Sequence, residues 1–113
     1  MHEAAIIQGI LEVAERQARE HGACAIKKIK LKVGEFRGVV REALEFSFAA
    51  MKLETMAHNS ELEIETIKLR VHCQRCGEVE SSINDFNLLC PKCNEMLIII
   101  AGRELQIEYL DIE

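Results

Sequence analysis

The sequence predicts an α+β fold, with two helices packed on a small mixed three-stranded sheet and an inserted zinc-ribbon-like module. Three observations predict it: two segments with apolar residues at helical spacing, three segments that alternate polar and apolar residues, and two Cys-x2-Cys pairs. The 113 residues are the length of one ordinary domain. We therefore expect one α/β domain at residues 1–70 and 101–113, interrupted by a zinc-binding module at residues 71–100.

Both predicted helices have an apolar side and a polar side. The first runs from Glu3 to Glu20 and is expected to end at His21-Gly22. The second follows a turn at residues 34–38 and is expected to continue to about His58. The apolar positions, three or four residues apart, are Ile7, Ile10, Leu11, Ala14 and Ala18 in the first helix and Val40, Leu44, Phe48 and Met51 in the second.

Three segments alternate polar and apolar residues, as strands with one buried face do. The first strand ends at Gly34, the second runs from Glu61 to about Arg70, and the third forms the C-terminal end of the sequence. The polar positions are Lys28, Lys30 and Lys32 in the first strand, Glu61, Glu63 and Glu65 in the second, and Glu104, Gln106 and Glu108 in the third, where they alternate with Leu105, Ile107 and Tyr109.

The charges on these strands indicate the order of the sheet. Because opposite charges can face each other across neighbouring strands, we expect the lysine strand to lie between the two glutamate strands. The alternation of the second strand slips at Thr66-Ile67, where we expect a bulge or bend leading into the inserted module.

Four cysteines in two Cys-x2-Cys pairs are the strongest chemical signal. Cys73 and Cys76 are separated from Cys90 and Cys93 by thirteen residues, which is typical of a four-thiolate zinc site. A disulfide pair or a thioredoxin-like redox motif is disfavoured, because two pairs occur and neither opens a long helix. Four sulfurs leave no open coordination position, so we expect the zinc to be structural. The fifth cysteine, Cys24, is expected to be a small buried apolar residue.

Composition and charge narrow the class of protein. The net charge is −5, and the region of the cysteines is itself acidic, which argues against a nucleic-acid partner. No apolar run approaches the roughly 20 residues that cross a bilayer, so no membrane association is expected. We also expect no signal peptide and a place in the cytosol, where thiols stay reduced.

The first residues, Met1-His2-Glu3, could chelate a metal ion. The Met1 amine, the His2 backbone nitrogen and the His2 Nδ1 can occupy three neighbouring corners of a square plane, which suits Ni²⁺ or Cu²⁺. Glu3 could complete the plane through its amide or carboxylate. On its own this signal is weak, because most histidines at a second position belong to solvated termini and Glu3 is an ordinary first-turn helix residue.

Several further motifs are spread over the whole sequence. They are Met1-His2-Glu3, Val33-Gly34-Glu35, Glu42-Ala43-Leu44-Glu45-Phe46, Leu62-Glu63-Ile64-Glu65, Cys73-Gln74-Arg75-Cys76-Gly77, Cys90-Pro91-Lys92-Cys93 and Gly102-Arg103-Glu104-Leu105. In these motifs and their spacing, the sequence resembles the HypA/HybF family, nickel metallochaperones that help to mature NiFe hydrogenases and, in some bacteria, urease.

The resemblance implies a metal site, a cargo and partners. Met1, His2 and Glu3 would form the nickel site, and the four cysteines would hold a structural zinc. The protein would not be an enzyme; it would deliver nickel together with a partner GTPase and the hydrogenase large subunit, as a monomer or homodimer. Because residues 77–89 lack the histidine that some relatives have between the cysteine pairs, the fourth nickel ligand stays open between Glu3, His58 and a water.

Two other functions compete with nickel delivery. The first is a zinc-ribbon module that contacts a protein or nucleic acid, for which the N-terminal residues would be incidental. The second is a metallohydrolase, which is disfavoured because the sequence has no His-Glu-x-x-His motif and no open zinc site.

Overall fold

The computed structural model describes residues 2–79 and 88–113. In chain order its elements are the helix α1 (Glu3–Glu20), the strand β1 (Ile26–Gly34), a 3-10 turn (Glu35–Arg37), the helix α2 (Arg41–Met51), a second 3-10 turn (Lys52–Glu54), and the strands β2 (Glu61–Ile67), β3 (Arg70–Cys73), β4 (Gly77–Val79), β5 (Ile98–Ala101) and β6 (Leu105–Ile112). The predicted α+β class is confirmed. None of the described helices is long and apolar enough to cross a bilayer.

The chain divides into two compact units. The first comprises Met1–Lys32, Val39–Glu65 and Gln106–Glu113, and the second comprises Val33–Gly38 and Thr66–Leu105. Residues 33–38 thus belong to the second unit, although Val33 and Gly34 are the last two residues of β1. The domain boundaries proposed from the sequence, 1–70 with 101–113 and 71–100, stay a prediction about which parts fold together.

In the first unit, α1 has the predicted bounds and its predicted apolar side is buried. The helix α2 is shorter than predicted, because it ends at Met51 and a 3-10 turn follows. Thr55 explains the difference: its hydroxyl donates to the Lys52 carbonyl oxygen at 2.7 Å and accepts from the Ala57 N–H at 3.0 Å. A threonine hydroxyl that bonds nearby backbone groups in this way replaces helical hydrogen bonds with a turn.

The sheet of the first unit has the order β2-β1-β6, so the lysine strand is central, as predicted. The Lys28 Nζ lies 2.6 Å from Glu63 Oε1, and the Lys30 Nζ lies 2.7 Å from Glu63 Oε2 and 3.6 Å from Glu65 Oε1. On the other side, Lys30 and Lys32 reach Glu108 at 3.7 and 3.8 Å. The ion pairs across the sheet therefore agree with the strand order that the charges predicted.

Strand direction in this sheet is mixed. Ala25 and Glu113, at the ends of β1 and β6, exchange both backbone hydrogen bonds at 3.3 and 2.9 Å, which is the antiparallel pattern. In contrast, β1 and β2 are joined through α2, the crossover that parallel strands require.

Three further details of the sequence-based prediction are wrong. The second strand does not continue to Arg70: β2 ends at Ile67, and Arg70 begins β3 in the other sheet. The alternation of β6 slips at Tyr109, whose ring lies 5.9 Å from both the Lys28 and Lys30 ammonium groups on the polar face. Cys24 is exposed and not buried, because it lies in the connection after α1, where its N–H bonds the Glu113 carbonyl oxygen.

The second unit contains an antiparallel sheet of order β4-β3-β5. The hydrophobic cluster beneath it consists of Val71, Cys73, Val79, Cys90 and Leu97. Two of these five described residues, Cys73 and Cys90, are cysteines of the predicted zinc site, so the site and the buried cluster share side chains.

The loop at residues 34–38 is held within the second unit by backbone hydrogen bonds. The Gly34 N–H donates to the Glu104 carbonyl at 2.6 Å, and the Phe36 N–H donates to the Gly102 carbonyl at 2.8 Å. The Glu35 carboxylate accepts from the Leu69 N–H at 3.2 Å. The motifs Val33-Gly34-Glu35 and Gly102-Arg103-Glu104, which are far apart in the sequence, therefore pack together.

Candidate metal centre

The four predicted zinc ligands come together in the second unit. Their sulfur atoms all lie within 4.8 Å of one another, and the Cys73 and Cys93 sulfurs are 3.5 Å apart. Zinc–sulfur bonds of about 2.3 Å in a tetrahedron separate the sulfurs by about 3.8 Å, so the cluster fits a zinc ion. Cys73 and Cys90 are buried, while Cys76 and Cys93 are partly exposed. The cysteines thus form a compact, partly buried site.

The two cysteine pairs lie on turns of the same design. The residue after each second cysteine has a positive φ, 87° at Gly77 and 65° at Asn94. This left-handed conformation suits glycine and asparagine, and it turns the chain back behind the sulfurs. In the first turn, the Cys76 N–H points at the Cys73 sulfur at 3.4 Å.

The second turn is closed by backbone hydrogen bonds. The Cys90 N–H donates to the Glu95 carbonyl at 2.7 Å, and the Asn94 N–H donates to the Cys90 carbonyl at 2.8 Å. An exposed ion pair of Arg75 with Glu95, at 3.2 Å, links the two turns and contributes little stability on its own.

The thiols differ in how readily they ionise. Burial, together with the neighbouring thiols of Cys93, Cys90 and Cys73, raises the pKa of Cys76 to about 12. Burial acts in the same direction at Cys90, but hydrogen bonds from the Cys93 and Lys92 N–H groups lower the pKa of that thiol to about 6. Four crowded thiols cannot all ionise without a cation, and a zinc ion would supply that charge.

The predicted nickel residues lie at the start of the first unit. Met1 is outside the described residues. His2 is exposed and is the N-cap residue of α1, and its carbonyl accepts from the Ile6 N–H at 3.1 Å. Glu3 begins the helix. His2 and Glu3 line an open depression at the surface together with Ala4, Ala5, Glu42, Ala43, Phe46 and Ser47.

Glu3 has a partner that sequence reasoning missed. Its Oε2 accepts from the Val40 N–H at 3.1 Å, and this hydrogen bond lowers the pKa of the carboxyl below its usual value. Val40 is the N-cap residue of α2 and its side chain cannot cap the helix. No sequence signal relates positions 3 and 40, because the contact arises from the packing of the two helices.

His58, the other protein candidate for the fourth nickel ligand, is placed elsewhere. It is exposed, its Nδ1 lies 3.1 Å from the Thr55 carbonyl oxygen, and it is not among the described residues that line the depression beside His2.

Comparisons with known proteins agree with this architecture. Residues 1–112 match the family described as "Hydrogenase/urease nickel incorporation, metallochaperone, hypA". The chain is 37% identical over 114 residues to the hydrogenase maturation factor HypA of Acidithiobacillus ferrooxidans, with all of both chains covered. It is 36% identical over 114 residues to that of Aquifex aeolicus, covering 100% of this chain and 98% of the relative.

Two solved structures share the fold. The solution structure of the Ni metallochaperone HypA from Helicobacter pylori matches with a TM-score of 0.71 at 22% identity, covering 99% of this chain and 97% of that one. A second solution structure of a HypA protein matches with a TM-score of 0.73 at 22% identity, covering 100% of this chain and 97% of that one. With a family match over nearly the whole chain and a four-cysteine site, this chain belongs to the HypA family of hydrogenase/urease nickel metallochaperones.

Proposed function

We propose that this protein binds Ni²⁺ through Met1, His2 and Glu3 and delivers it during NiFe hydrogenase maturation. The observation that carries the proposal is the family match over residues 1–112. The exposure of His2 at the first turn of α1 supports it, because a chelating histidine must be open to an incoming ion.

The chemistry follows from the order of the donor atoms. The Met1 amine, the His2 backbone nitrogen and the His2 Nδ1 provide three neighbouring corners of a square plane, which favours Ni²⁺ over Zn²⁺ or Mg²⁺. Glu3 is our first choice for the fourth ligand, because it directly follows His2 and its carboxylate is fixed at the start of α1 by the Val40 N–H. His58 and a water are the alternatives. Because the site has only a few protein ligands, it can release the ion to another protein.

The zinc would have a separate, structural role. Cys73, Cys76, Cys90 and Cys93 supply all four ligands of a tetrahedral ion, so no position is left for a reactive water. We therefore propose that the protein has no catalytic turnover. Its work would be binding and transfer, with nickel as the cargo.

Delivery requires proteins that receive the ion. We propose a nickel-insertion GTPase of the hydrogenase maturation system and the hydrogenase large subunit as partners, with the protein acting as a monomer or homodimer. The cytosol is the proposed place of action, because reducing conditions keep the four thiols available to zinc. Urease is the second client that we propose.

The test is nickel titration of a His2→Ala variant. Without the imidazole the plane loses a ligand, so we expect at least a ~100-fold loss of nickel affinity with unchanged zinc content. His21→Ala is the matched control, because His21 is also exposed at one end of α1. Its Nδ1 lies 2.9 Å from the Gln17 carbonyl oxygen. Extending the N-terminus by a few residues should weaken nickel binding in the same way. Wild-type nickel affinity in His2→Ala would refute the proposal and favour the zinc-ribbon interaction module.

A further inference from the structure

The helix α2 has two apolar sides, and only one of them is buried. Leu44 and Phe48 face the core and are 1% and 4% exposed. On the opposite side, Phe46 is 77% exposed, Leu53 is 66% exposed, and Ala50 is exposed between them. Phe46 and Ala50 lie one turn apart on α2, and Leu53 follows in the 3-10 turn that directly continues the helix. We call these three exposed apolar side chains the outer stripe of α2.

Both ends of the outer stripe are acidic. Glu42 lies one turn before Phe46, and Glu54 directly follows Leu53. Neither carboxylate has an ion pair among the described residues. The nearby cations have partners elsewhere: the Lys52 Nζ donates to the Ser60 carbonyl at 2.9 Å, and Arg41 lies 4.0 Å from Glu45. Among the described residues, the stripe is thus an apolar centre between two carboxylates that have no ion pair.

The outer stripe starts beside the proposed nickel residues. Phe46 and Glu42 line the same open depression as His2 and Glu3. The depression is also lined by four small residues, Ala4, Ala5, Ala43 and Ser47. A molecule that packs on Phe46 would therefore lie at the same depression as His2.

We propose that the outer stripe of α2 docks a partner protein whose contact surface is apolar and flanked by lysine or arginine side chains. Exposed aromatic residues are the usual anchors of such interfaces, and charges at the rim select the partner. The inference rests on the proposed function in one respect: the docked partner would be the protein that exchanges nickel with His2.

A second copy of this chain does not fit the stripe as well. In a parallel pair of α2 helices, Glu42 would face Glu42 of the other copy, and Glu54 would face Glu54. In an antiparallel pair, Glu42 would face Glu54. Either arrangement brings like charges together across an apolar contact, which costs free energy. A basic partner removes that cost.

The experiment measures binding of the zinc-loaded protein to two purified probes, the nickel-insertion GTPase and the hydrogenase large subunit. We expect Phe46→Ser and Leu53→Ser to weaken binding to at least one of them by about tenfold or more. Glu42→Lys should weaken the same complex, and added salt should weaken the wild-type complex more than the Glu42→Lys complex. Leu53→Ser should keep wild-type nickel affinity and circular dichroism.

Met96→Ser is the matched control, because Met96 is also 77% exposed but lies in the second unit. The affinity of Met96→Ser for both probes should stay within about twofold of the wild-type affinity. The inference is overturned if Phe46→Ser and Leu53→Ser bind both probes like wild type, if neither probe binds wild type, or if only Met96→Ser weakens binding. It is also overturned if sedimentation shows a wild-type dimer that Phe46→Ser dissociates.

Failure of this inference and failure of the proposed function give different results. If His2→Ala abolishes nickel binding while Phe46→Ser leaves both complexes intact, nickel delivery stands and the docking surface lies elsewhere. If His2→Ala keeps nickel affinity while Phe46→Ser weakens a complex, the docking surface stands and the nickel site is wrong.

Discussion

At the residue scale, two close approaches show how single positions hold the chain together. Gly34 and Gly102 are both buried in the second unit, and a Cβ at Gly34 would overlap the Gly102 carbonyl group. Glu3 joins the start of α1 to the start of α2 through the Val40 N–H. Each contact joins residues far apart in the sequence, so one substitution should affect two segments.

A Gly34→Ala substitution should strongly destabilise the protein. Its Cβ meets backbone atoms of Gly102 and Arg103, which cannot move aside as a flexible side chain can, so we expect a loss of ~3 kcal/mol or more in the free energy of unfolding. The measurement is urea denaturation of the zinc-loaded protein.

Gly9→Ala is the control for Gly34→Ala. Gly9 is in α1 with open space where a Cβ would be, so alanine should stabilise the helix by ~0.5–1 kcal/mol. Equal effects of the two substitutions would contradict the close packing of Gly34 on Gly102.

At the element scale, the lysines of β1 interact with glutamates of both neighbouring strands. Glu63 is the best connected of these acids, because its two oxygens lie 2.6 Å and 2.7 Å from Lys28 and Lys30. Hydrogen bonds from Lys28 and then Lys30 lower the pKa of Glu63 to about 2. The group is partly exposed, so its contribution to stability is small but should depend on pH.

The pH dependence of Glu63 has a definite sign. A carboxyl with a lowered folded-state pKa contributes stability above its ordinary pKa of about 4.3 and loses it as the pH falls. Glu63→Gln should therefore be less stable than wild type at pH 7, and the difference should shrink between about pH 5 and pH 2.

Urea denaturation across this pH range measures the difference in the free energy of unfolding between Glu63→Gln and wild type. Both proteins release zinc in acid, so zinc release does not contribute to the difference. Glu61→Gln, two residues earlier on β2, should show no such trend, because Glu61 has no ion pair among the described residues. A constant difference from pH 7 to pH 2 would refute the role of Glu63.

At the scale of the whole molecule, the two units differ in what stabilises them. The first unit buries apolar side chains of two helices and a sheet, among them Ile7, Ile29 and Leu44. In the second unit, the buried cluster of the described residues includes Cys73 and Cys90, which are proposed zinc ligands. A unit whose buried cluster contains the metal ligands should lose stability when the metal is removed.

Removing the metal should unfold one unit before the other. With a strong zinc chelator, we expect amide hydrogen exchange to rise in β3, β4 and β5, while α1 and β2 keep their protection. Adding zinc back should restore the protection, and Cys73→Ser should reproduce the loss without a chelator. Unchanged exchange in β3 and β5 after complete zinc removal would contradict a structural role for the metal.

The sequence by itself determined the features that depend on local chain geometry. Helical spacing defined the bounds of α1, alternating lysines and glutamates predicted the order of the β2-β1-β6 sheet, and two Cys-x2-Cys pairs identified the four-cysteine site. Local hydrogen bonds were harder to predict, so the end of α2 at the Thr55 turn was missed.

Only the tertiary structure decided which distant segments meet. It placed Gly34 against Gly102, joined Glu3 to Val40, and turned Phe46 outward beside His2. The physical reason is that spacing and alternation report the face on which a side chain lies. The partner across that face depends on how all the elements pack together.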